Sequence, residues 1–302
     1  MTRGARICAL LTLALLATGC GERSEPVGAL PQSYPVTVQG AGDRTTEMAK
    51  RPDRIVALDA GAAETLNRIG AGSRLVGVPA GLATGDAAGA GTVVRSTGQV
   101  DVDGVIDLEP DLIVATPGVD QLDLARAARE TGAAVYVQPE VSIESVKQGI
   151  IDLGFLVGEA AAARQLVGEI DDRVASVVER VGSKAPASVF VDTGFFITVP
   201  DRSLLGDLVR KANGQNIAGE SPGPGPFPLT DIARANPQVY LATSDSGVRL
   251  RTLRANPTLR EVKAVKAGNI HVVPVGLVTR AGPRVAAALE RVARVLHPDA
   301  FR

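Results

Sequence analysis

A 24-residue stretch, EAAAARQLVGEIDDRVASVVERVG at positions 159–182, divides the chain and decides its fold. Within it, apolar residues recur every three or four positions, which predicts one amphipathic helix over residues 159–181 that ends at Gly182. At 1.5 Å per residue, such a helix is roughly 35 Å long. Its apolar face consists of Leu166, Ile170, Val174, Val177 and Val181. Because this helical pattern is the longest uninterrupted one, we expect it to connect two separate parts of the molecule.

On both sides of this helix, short apolar runs alternate with amphipathic segments. Strands are predicted at 55–58, 75–78, 112–115 and 134–137 before the helix, and at 189–191, 239–242 and 270–273 after it. Helices are predicted at 63–69, 105–108, 122–131, 143–157, 204–212, 230–235 and 283–296. Strands that alternate with helices in this way are typical of βαβ units and parallel sheets.

The two flanks also share a short sequence pattern, in which a proline precedes an apolar strand. Pro110 precedes the strand Leu112-Ile113-Val114-Ala115 in the first flank, and Pro237 precedes Val239-Tyr240-Leu241-Ala242 in the second. We therefore predict an α/β fold with two Rossmann-like lobes, at 52–158 and 183–302, whose parallel sheets are joined by one long backbone helix at 159–182. Such lobes place a ligand cleft between the carboxyl edges of their sheets.

The first residues are typical of an export signal. Arg3 and Arg6 precede a short apolar run at 7–16, which is followed by Ala17-Thr18-Gly19-Cys20. A charged start, an apolar centre and a small-residue exit predict a signal peptide over residues 1–19. The tetrapeptide resembles a bacterial lipobox, in which Cys20 would carry the lipid. Plain secretion with cleavage nearby is the alternative.

This N-terminal pattern predicts where the protein works. We expect an exported protein that is anchored by the lipid on Cys20 to the outer face of the cytoplasmic membrane, or one that lies in the periplasm. The following residues, 20–51, are rich in Gly, Pro, Ser, Thr and charged residues without periodicity, which predicts a flexible tether.

Composition excludes several classes of function. The 302 residues contain 32 Lys and Arg against 33 Asp and Glu, a net charge of -1, so no basic surface for nucleic acid is expected. Two His and two Cys are too few for a zinc or iron cage of three or four ligands. With no Trp and 3% aromatic residues, a base-stacking platform is absent as well. We predict no resident metal and no cofactor.

Catalytic motifs are missing too. No Gly-x-Ser-x-Gly elbow directly follows a predicted strand, and the sequence has no Gly-x-x-x-x-Gly-Lys and no complete Gly-x-Gly-x-x-Gly after a strand. A Ser-His-Asp triad would have to use His271, which lies inside a predicted strand, or His297, which lies in a terminal Leu-His-Pro phrase. Both are interpreted as structural, so we predict no catalytic residues and no enzyme.

Several short sequence motifs within residues 51–301 resemble those of one family in their order and spacing. This family is the cobalamin and ferric-siderophore class (class III) of ABC-transporter substrate-binding lipoproteins, whose lobes are joined by a single backbone helix. The phrases are Arg51-Pro52-x-Arg54-Ile55-Val56-Ala57-Leu58, Glu64-Thr65-Leu66-x-x-Ile69-Gly70, Leu108-x-Pro110-Asp111-Leu112-Ile113, Ala255-Asn256-Pro257, Ala264-Val265-Lys266-Ala267-Gly268-Asn269-Ile270, and Gly282-Pro283-Arg284 with Leu296-His297-Pro298 near the end.

The resemblance implies a monomeric protein that captures a small-molecule metal chelate or a tetrapyrrole outside the cell and delivers it to an ABC permease. The ligand would be a ferric siderophore, haem or a corrinoid. Little lobe closure is expected, because a helical connection resists bending. The alternative is a binding-protein fold reused as an envelope interaction or sensing protein that has lost permease docking.

Docking residues follow from the resemblance. Members of the family commonly dock through an acidic residue in each lobe, seven positions before the Pro of the Leu-x-Pro-Asp phrase. In this sequence that position holds Asp103 in the first lobe. In the second it holds Thr230, with Asp231 one position later. The second lobe therefore departs from the family pattern.

Ligand contacts are expected in the turns that follow the strands. An anionic chelate would favour arginine, whose planar guanidinium carries a permanent charge. The predicted ligand-binding residues are Arg95, Arg280, Phe195, Phe196, Asp59, Arg249 and Arg251. One of the two adjacent phenylalanines is expected to face the ligand. No His or Tyr stands out as an axial ligand for haem, and the Pro-rich segment 221–228 is interpreted as a rim loop or a connector.

Overall fold

A computed structural model describes residues 32–82 and 85–302. The predicted signal peptide, the lipobox and Cys20 lie outside the described residues. No helix in the described ranges combines the length and apolar character needed to cross a bilayer.

The N-terminal lobe contains a five-stranded parallel sheet with helices on its faces. Its elements are β1 Val36–Gln39, β2 Thr45–Met48, β3 Ile55–Ala57, α1 Ala60–Arg68, β4 Leu75–Pro79, β5 Gly91–Val94, α2 Val102–Asp107, β6 Leu112–Ala115, α3 Gln121–Thr131, β7 Ala134–Val137 and α4 Ile143–Val157. The strands lie in the order β5-β4-β3-β6-β7. Central strands β3 and β6 are wholly buried, as their unbroken apolar sequences require.

The C-terminal lobe follows the long helix and repeats the plan. Its elements are α5 Ala160–Gly182, β8 Ala187–Asp192, β9 Ile197–Thr198, α6 Leu204–Lys211, β10 Gly214–Asn216, β11 Gly225–Pro226, α7 Leu229–Ala235, β12 Val239–Thr243, α8 Leu250–Ala255, α9 Lys263–Ala267, β13 Ile270–Val273, α10 Val275–Val278 and α11 Val285–Leu296. Its main sheet has the order β10-β8-β12-β13, and every pairing in it is parallel. The predicted α/β fold with parallel sheets is confirmed.

Helix α5 joins the two lobes and belongs to both of their cores. All five residues predicted for its apolar face are buried. The helix packs against α4 on one side and α11 on the other. One apolar core consequently continues from the first sheet through α4 and α5 into the second lobe.

The predicted tether is wrong for part of its length. Residues 36–48 form an antiparallel hairpin, β1–β2, in which Val38 and Met48 are buried. The hydroxyl of Thr46 donates a 2.8 Å hydrogen bond to the carbonyl of Val135, next to the end of the first sheet. The alternation of apolar and polar residues in these short strands was hidden among the many polar residues around them.

The exposed face of α5 gives a simple test of helix energetics. Gly168 is exposed, and nothing lies within 4 Å of the position that a Cβ would take. Since glycine in a helix interior costs about 0.5–1 kcal/mol relative to alanine, Gly168→Ala is expected to raise the free energy of unfolding by about that amount. Urea denaturation followed by circular dichroism measures it, and a loss of stability would contradict the expectation.

Candidate functional site

A cavity of about 410 Å³ lies between the two lobes. The first lobe contributes Glu140 and Val141, which follow β7. The second lobe contributes the turn after β8, the start of α6, part of the Pro-rich segment and one residue after α10, namely Thr193, Val199, Pro200, Arg202, Ser203, Leu204, Leu205, Pro222, Gly223, Pro224 and Thr279. The wall is mostly apolar, with a few polar groups, which is the usual character of a small-molecule site.

The position of this cavity follows from the topology. Residues after β7 and after β8 meet there because the carboxyl ends of parallel strands share one edge of each sheet. The Pro-rich segment contributes to the wall because the short ribbon of β9 and β11 brings it beside the turn that follows β8. The segment is therefore part of the rim.

Two carboxyl groups belong to the first-lobe side of the cleft. Asp59 is the N-cap of α1, and its Oδ1 accepts hydrogen bonds from the backbone N–H groups of Gly61 at 2.7 Å and Ala62 at 3.1 Å. Burial raises the pKa of Asp59, while these hydrogen bonds and the charge of Arg280 act in the opposite direction. Burial, together with the negative charge of Asp59, raises the pKa of Glu140 to about 7.

Beside these carboxyl groups, backbone atoms of the two lobes are in direct contact. A Cβ on Gly61 would lie 2.5 Å from the carbonyl oxygen of Ala281, and one on Gly282 would lie 2.8 Å from the Cα of Gly61. The side-chain amide of Gln138, which is fully buried, donates a 2.8 Å hydrogen bond to the carbonyl of Ala281. We call the contact formed by these four residues the interlobe seam.

Charged side chains extend the interlobe seam. Glu64 of α1 accepts two hydrogen bonds from the guanidinium of Arg284, at 2.9 and 2.8 Å, and contacts Arg280 at 3.3 Å. Arg280 was predicted to bind ligand. In the structure its charge is engaged by Glu64 and acts on Asp59, while the preceding residue, Thr279, lines the cavity.

The two adjacent phenylalanines lie in a strained turn after β8. Both have a left-handed backbone, with φ of +52° at Phe195 and +60° at Phe196, a conformation that is uncommon outside glycine. The Asp192 carboxylate holds the turn by accepting hydrogen bonds from the N–H groups of Gly194 at 2.8 Å and Phe196 at 3.1 Å. Its other oxygen accepts a 2.6 Å hydrogen bond from the hydroxyl of Tyr240.

The turn separates the two aromatic side chains. Phe196 packs against the apolar core of the C-terminal lobe, whereas Phe195 is 87% exposed. Neither ring belongs to the described wall of the cavity, to which the same turn contributes Thr193 instead. One ring therefore packs in the core and the other is exposed outside the described wall of the cavity, and the expectation that one of them faces the ligand stays a prediction.

Three of the predicted arginines lie away from the cavity. Arg95 follows β5, at the edge of its sheet opposite to β7, and its guanidinium bonds to Gln99 at 3.3 Å. Arg249 caps α8 and Arg251 lies within it, and both are exposed. Their role in ligand binding stays a prediction, since the cavity described above forms beside β7 and β8 and does not include them.

Arg202 is the cavity arginine that the sequence reasoning missed. Its guanidinium donates a hydrogen bond to the carbonyl of Pro222, and so it ties the Pro-rich rim to the turn before α6. The available signal was the sequence Pro200-Asp201-Arg202-Ser203, a turn followed by the serine that caps α6 through Gly206.

The predicted docking residues occupy equivalent places in the two lobes. Asp103 lies in the first turn of α2 and Asp231 in the first turn of α7. Each is paired with an arginine: Asp103 with Arg126 at 2.6 Å, and Asp231 with Arg234 at 2.7 Å. Thr230 is exposed beside Asp231.

Both histidines occupy structural positions. His271 lies on the edge strand β13 at 2.6 Å from the side-chain oxygen of Asn269, and burial lowers its pKa. His297 caps the end of α11, where it is buried with its Nε2 3.3 Å from the carbonyl of Asn213. Across residues 32–82 and 85–302, no group of three His, Cys, Asp or Glu side chains is arranged to hold a metal ion.

The raised pKa of Glu140 predicts a pH effect on stability. The folded protein keeps this proton up to about pH 7, whereas the unfolded chain releases it near the ordinary value of 4.5. Since the folded state binds more protons between these values, its stability falls as the pH rises through this range. Glu140→Gln should lose less unfolding free energy between pH 5 and pH 8 than the parent protein in urea titrations. Parallel pH profiles would contradict this, since Asp59 is present in both proteins.

Comparison with known proteins places these features in a family. Residues 55–275 match the model of a family described as periplasmic binding protein. In sequence, the chain is similar to a cobalamin-binding protein of Halobacterium salinarum, with 28% identity over 98% of this chain and 86% of that protein. It is also similar to YvrC of Bacillus subtilis, described as an uncharacterized ABC transporter substrate-binding lipoprotein, with 26% identity over 97% of each. In structure, it resembles the periplasmic vitamin B12 binding protein BtuF of Vibrio cholerae, with a TM-score of 0.70 and 21% identity over 83% of this chain and 98% of that one.

Proposed function

Because the chain belongs to the periplasmic binding protein family, we propose that it captures a corrinoid in the cavity between its lobes and delivers it to an ABC permease. The protein is a solute-binding protein and not an enzyme, as the family match establishes. The likeness to a relative described as cobalamin-binding supports the choice of ligand class.

The chemistry of the cavity wall is the observation that carries this proposal. A corrinoid presents methyl groups and neutral amides around a flat ring, and it can bring its own lower base to the metal. Leu204, Leu205 and Val199 offer an apolar surface to such a ring, and the hydroxyls of Thr193 and Thr279 offer partners for the amides.

The other two ligand classes suit the same wall less well. Haem needs an axial ligand, and none of the described residues that line the cavity is His, Tyr, Met or Cys. A ferric siderophore of high negative charge would enter beside the carboxyl groups of Asp59 and Glu140, with only the guanidinium of Arg202 on the described wall to balance them. Haem and ferric siderophores are nevertheless included in the ligand panel, where selective binding of either would contradict the proposal.

Thermal unfolding of residues 21–302 with a ligand panel tests the proposal. The panel contains cobalamin, cobinamide, haemin, and hydroxamate, catecholate and carboxylate ferric siderophores. A ligand at 100 times its dissociation constant adds about 2.7 kcal/mol to stability, so binding is visible as a rise in Tm. A rise with cobalamin or cobinamide alone supports the proposal, and a rise with haemin or a ferric siderophore alone overturns the corrinoid assignment.

A matched pair of valines connects binding to the cavity. Val141 lies on the wall and is 56% exposed, while Val178 lies on α5, is 40% exposed and is absent from the described wall. Val141→Asp should abolish the Tm rise, because it places an unpaired charge against the ligand, and Val178→Asp should retain it. Equal binding by the two variants would show that the ligand sits elsewhere.

The envelope interaction or sensing role is the second candidate, and one observation favours it. The docking position of the second lobe holds the neutral Thr230, and the neighbouring Asp231 is engaged by Arg234. Mixing with the cognate permease distinguishes the two roles. Absence of binding by both the ligand-free and the ligand-loaded protein would favour the second candidate over transport.

We also propose that Cys20 is lipid-modified and holds the protein at the membrane surface. The support is the lipobox-like sequence before it and the relative described as a lipoprotein. Fractionation of cells that express the parent protein and Cys20→Ser tests this. The parent should sediment with membranes and the variant should not, and equal distribution would contradict the proposal.

A further inference from the structure

The segment from the start of α8 to the end of α9 carries many exposed basic side chains. Within residues 249–267 there is a single acid, Glu261. The basic residues of this segment are all exposed: Arg249, Arg251, Arg254, Arg260, Lys263 and Lys266. Since the chain as a whole has a net charge of -1, this excess of positive charge is local to one part of the C-terminal lobe.

The two helices bring these charges together. The guanidinium of Arg254, on α8, donates 3.4 Å hydrogen bonds to the carbonyl oxygens of Val265 and Lys266 near the end of α9. Arg251 lies three positions before Arg254, and Lys263 lies three positions before Lys266, so the members of each pair are neighbours on their helix. We call the basic residues of the segment 249–267 the basic surface.

Three of these charges are placed where they do not stabilise the fold. Arg249 is the N-cap of α8, Arg251 lies in the first turn of that helix, and Lys263 begins α9. The N-terminus is the positive end of a helix dipole and therefore disfavours cations. The first turns of α2, α3, α4, α6 and α7 each contain an acid instead. Among the described residues, the side chains of these three basic residues have no ion pair and no hydrogen bond, so local structure does not account for their charge.

The lack of exposed apolar side chains on the basic surface indicates the kind of partner. Leu253, Leu259, Val262 and Val265 of the same segment are buried. None of the large apolar side chains that are exposed in the described ranges lies within residues 249–267. The centre of a protein–protein interface is rich in aromatic residues and depleted of charged ones, whereas attraction to anionic lipid headgroups requires only basic side chains close to the membrane. A lipid surface therefore fits the basic surface better than a protein partner does.

We propose that the basic surface holds the C-terminal lobe against the anionic phospholipid headgroups of the membrane beside which the protein works. This inference goes beyond the proposed function, since it concerns neither the ligand nor the permease, and it does not depend on a lipid at Cys20. Because the attraction is electrostatic, it depends on salt. Raising the salt concentration from about 0.1 M to about 1 M shortens the Debye length from about 10 Å to about 3 Å and should release the protein.

Cosedimentation of residues 21–302 with lipid vesicles tests the proposal. This form lacks Cys20, and its residues Gln32–Arg302 form one compact unit. The vesicles contain equal parts of phosphatidylglycerol and phosphatidylcholine, or phosphatidylcholine alone. The test variant combines Arg249→Gln, Arg251→Gln and Lys263→Gln, since glutamine suits a helix. The matched control removes the same charge at exposed positions elsewhere, through Lys50→Gln, Arg164→Gln and Arg173→Gln.

We expect the parent protein to bind the anionic vesicles and not the neutral ones. Each neutralised residue of the basic surface should weaken binding about fivefold, and the triple test variant about 100-fold. The triple control should bind like the parent. The Tm of the test variant should equal or exceed that of the parent, because the removed charges lie at the positive ends of helices.

Several outcomes would overturn the inference. Equal weakening by the test variant and the control would assign binding to net charge instead of the basic surface. Equal binding to both kinds of vesicle, or binding to neither, would exclude an electrostatic contact with headgroups. Loss of cobalamin binding by the test variant would assign Arg249 and Arg251 to the ligand site. Failure of the parent protein itself to bind cobalamin would contradict the proposed function and leave the membrane contact standing.

Discussion

Gly282→Ala is expected to lower the free energy of unfolding by about 1–3 kcal/mol, the usual cost of forcing extra atoms into a closed contact. The new Cβ would lie 2.8 Å from the Cα of Gly61 and 2.9 Å from its carbonyl oxygen. Both are backbone atoms, so no side-chain rotation relieves the clash. The two lobes must move apart at the interlobe seam.

The displacement should reach the ligand site as well. The same seam contains the Gln138 hydrogen bond to Ala281, and the pairs of Glu64 with Arg280 and Arg284 lie beside it. Asp59, which caps the same helix as Glu64, is close enough to raise the pKa of Glu140 on the cavity wall. We therefore expect ligand binding by Gly282→Ala to weaken together with stability.

Urea titration and calorimetric ligand binding measure the two effects. Gly89→Ala is the control, since Gly89 has an ordinary backbone conformation and nothing lies within 4 Å of its Cβ position. If Gly282→Ala and Gly89→Ala behave alike in both measurements, the lobes do not depend on backbone contact at the seam.

Asp192→Ala is expected to cost about 3 kcal/mol or more, because a hydrogen bond to a charged group contributes about 1.5–3 kcal/mol. Asp192 is 2% exposed and accepts three hydrogen bonds, from the hydroxyl of Tyr240 and from the N–H groups of Gly194 and Phe196. Its loss leaves the buried hydroxyl without that acceptor. It also removes the only side-chain acceptor that the described chain provides for the two turn N–H groups.

Two further variants show which part of the loss belongs to the turn. Tyr240→Phe removes one hydrogen bond and leaves the turn intact, so it should cost about 1–2 kcal/mol. Asp245→Ala, at an exposed position, should change stability by less than about 0.5 kcal/mol. Chemical denaturation of the three variants measures their free energies of unfolding. An Asp192→Ala loss no larger than that of Tyr240→Phe would show that the turn is held by other contacts.

Local sequence patterns predicted the larger elements well. Strands β3, β6, β7, β12 and β13 and helices α3, α4 and α5 agree with the predicted segments to within two residues at either end. These elements are long or strongly apolar, and each is bounded by Gly, Pro or a capping residue. Short elements were missed, including the β1–β2 hairpin and the two-residue strands β9 and β11, because their backbone pairing depends on partners distant in the chain.

The cleft residues were harder to predict than the fold. Sequence reasoning selected Arg95, Arg249 and Arg251 by residue type and by position after or near a strand. Which of those turns forms the cavity depends on strand order, and β5 and β7 lie at opposite edges of one sheet. Arg202 and Glu140 line the cavity instead. Glu140 follows a predicted strand but is not an arginine, and Arg202 lies in the turn before a helix, so a search for arginines after strands selects neither.

The sequence alone determined the class of fold, the division into two lobes and the family. These properties depend on the periodicity of apolar residues and on the order of short phrases, both of which are local to the chain. Only the tertiary structure decided which side chains meet in the cleft and that Gly61 and Gly282 touch across it. It also decided that the Asp192 carboxylate turns Phe195 outward. The reason is physical: contacts between residues distant in the chain, such as Gly61 with Gly282 and Asp192 with Tyr240, arise from the packing of whole elements, and no local pattern encodes their relative placement.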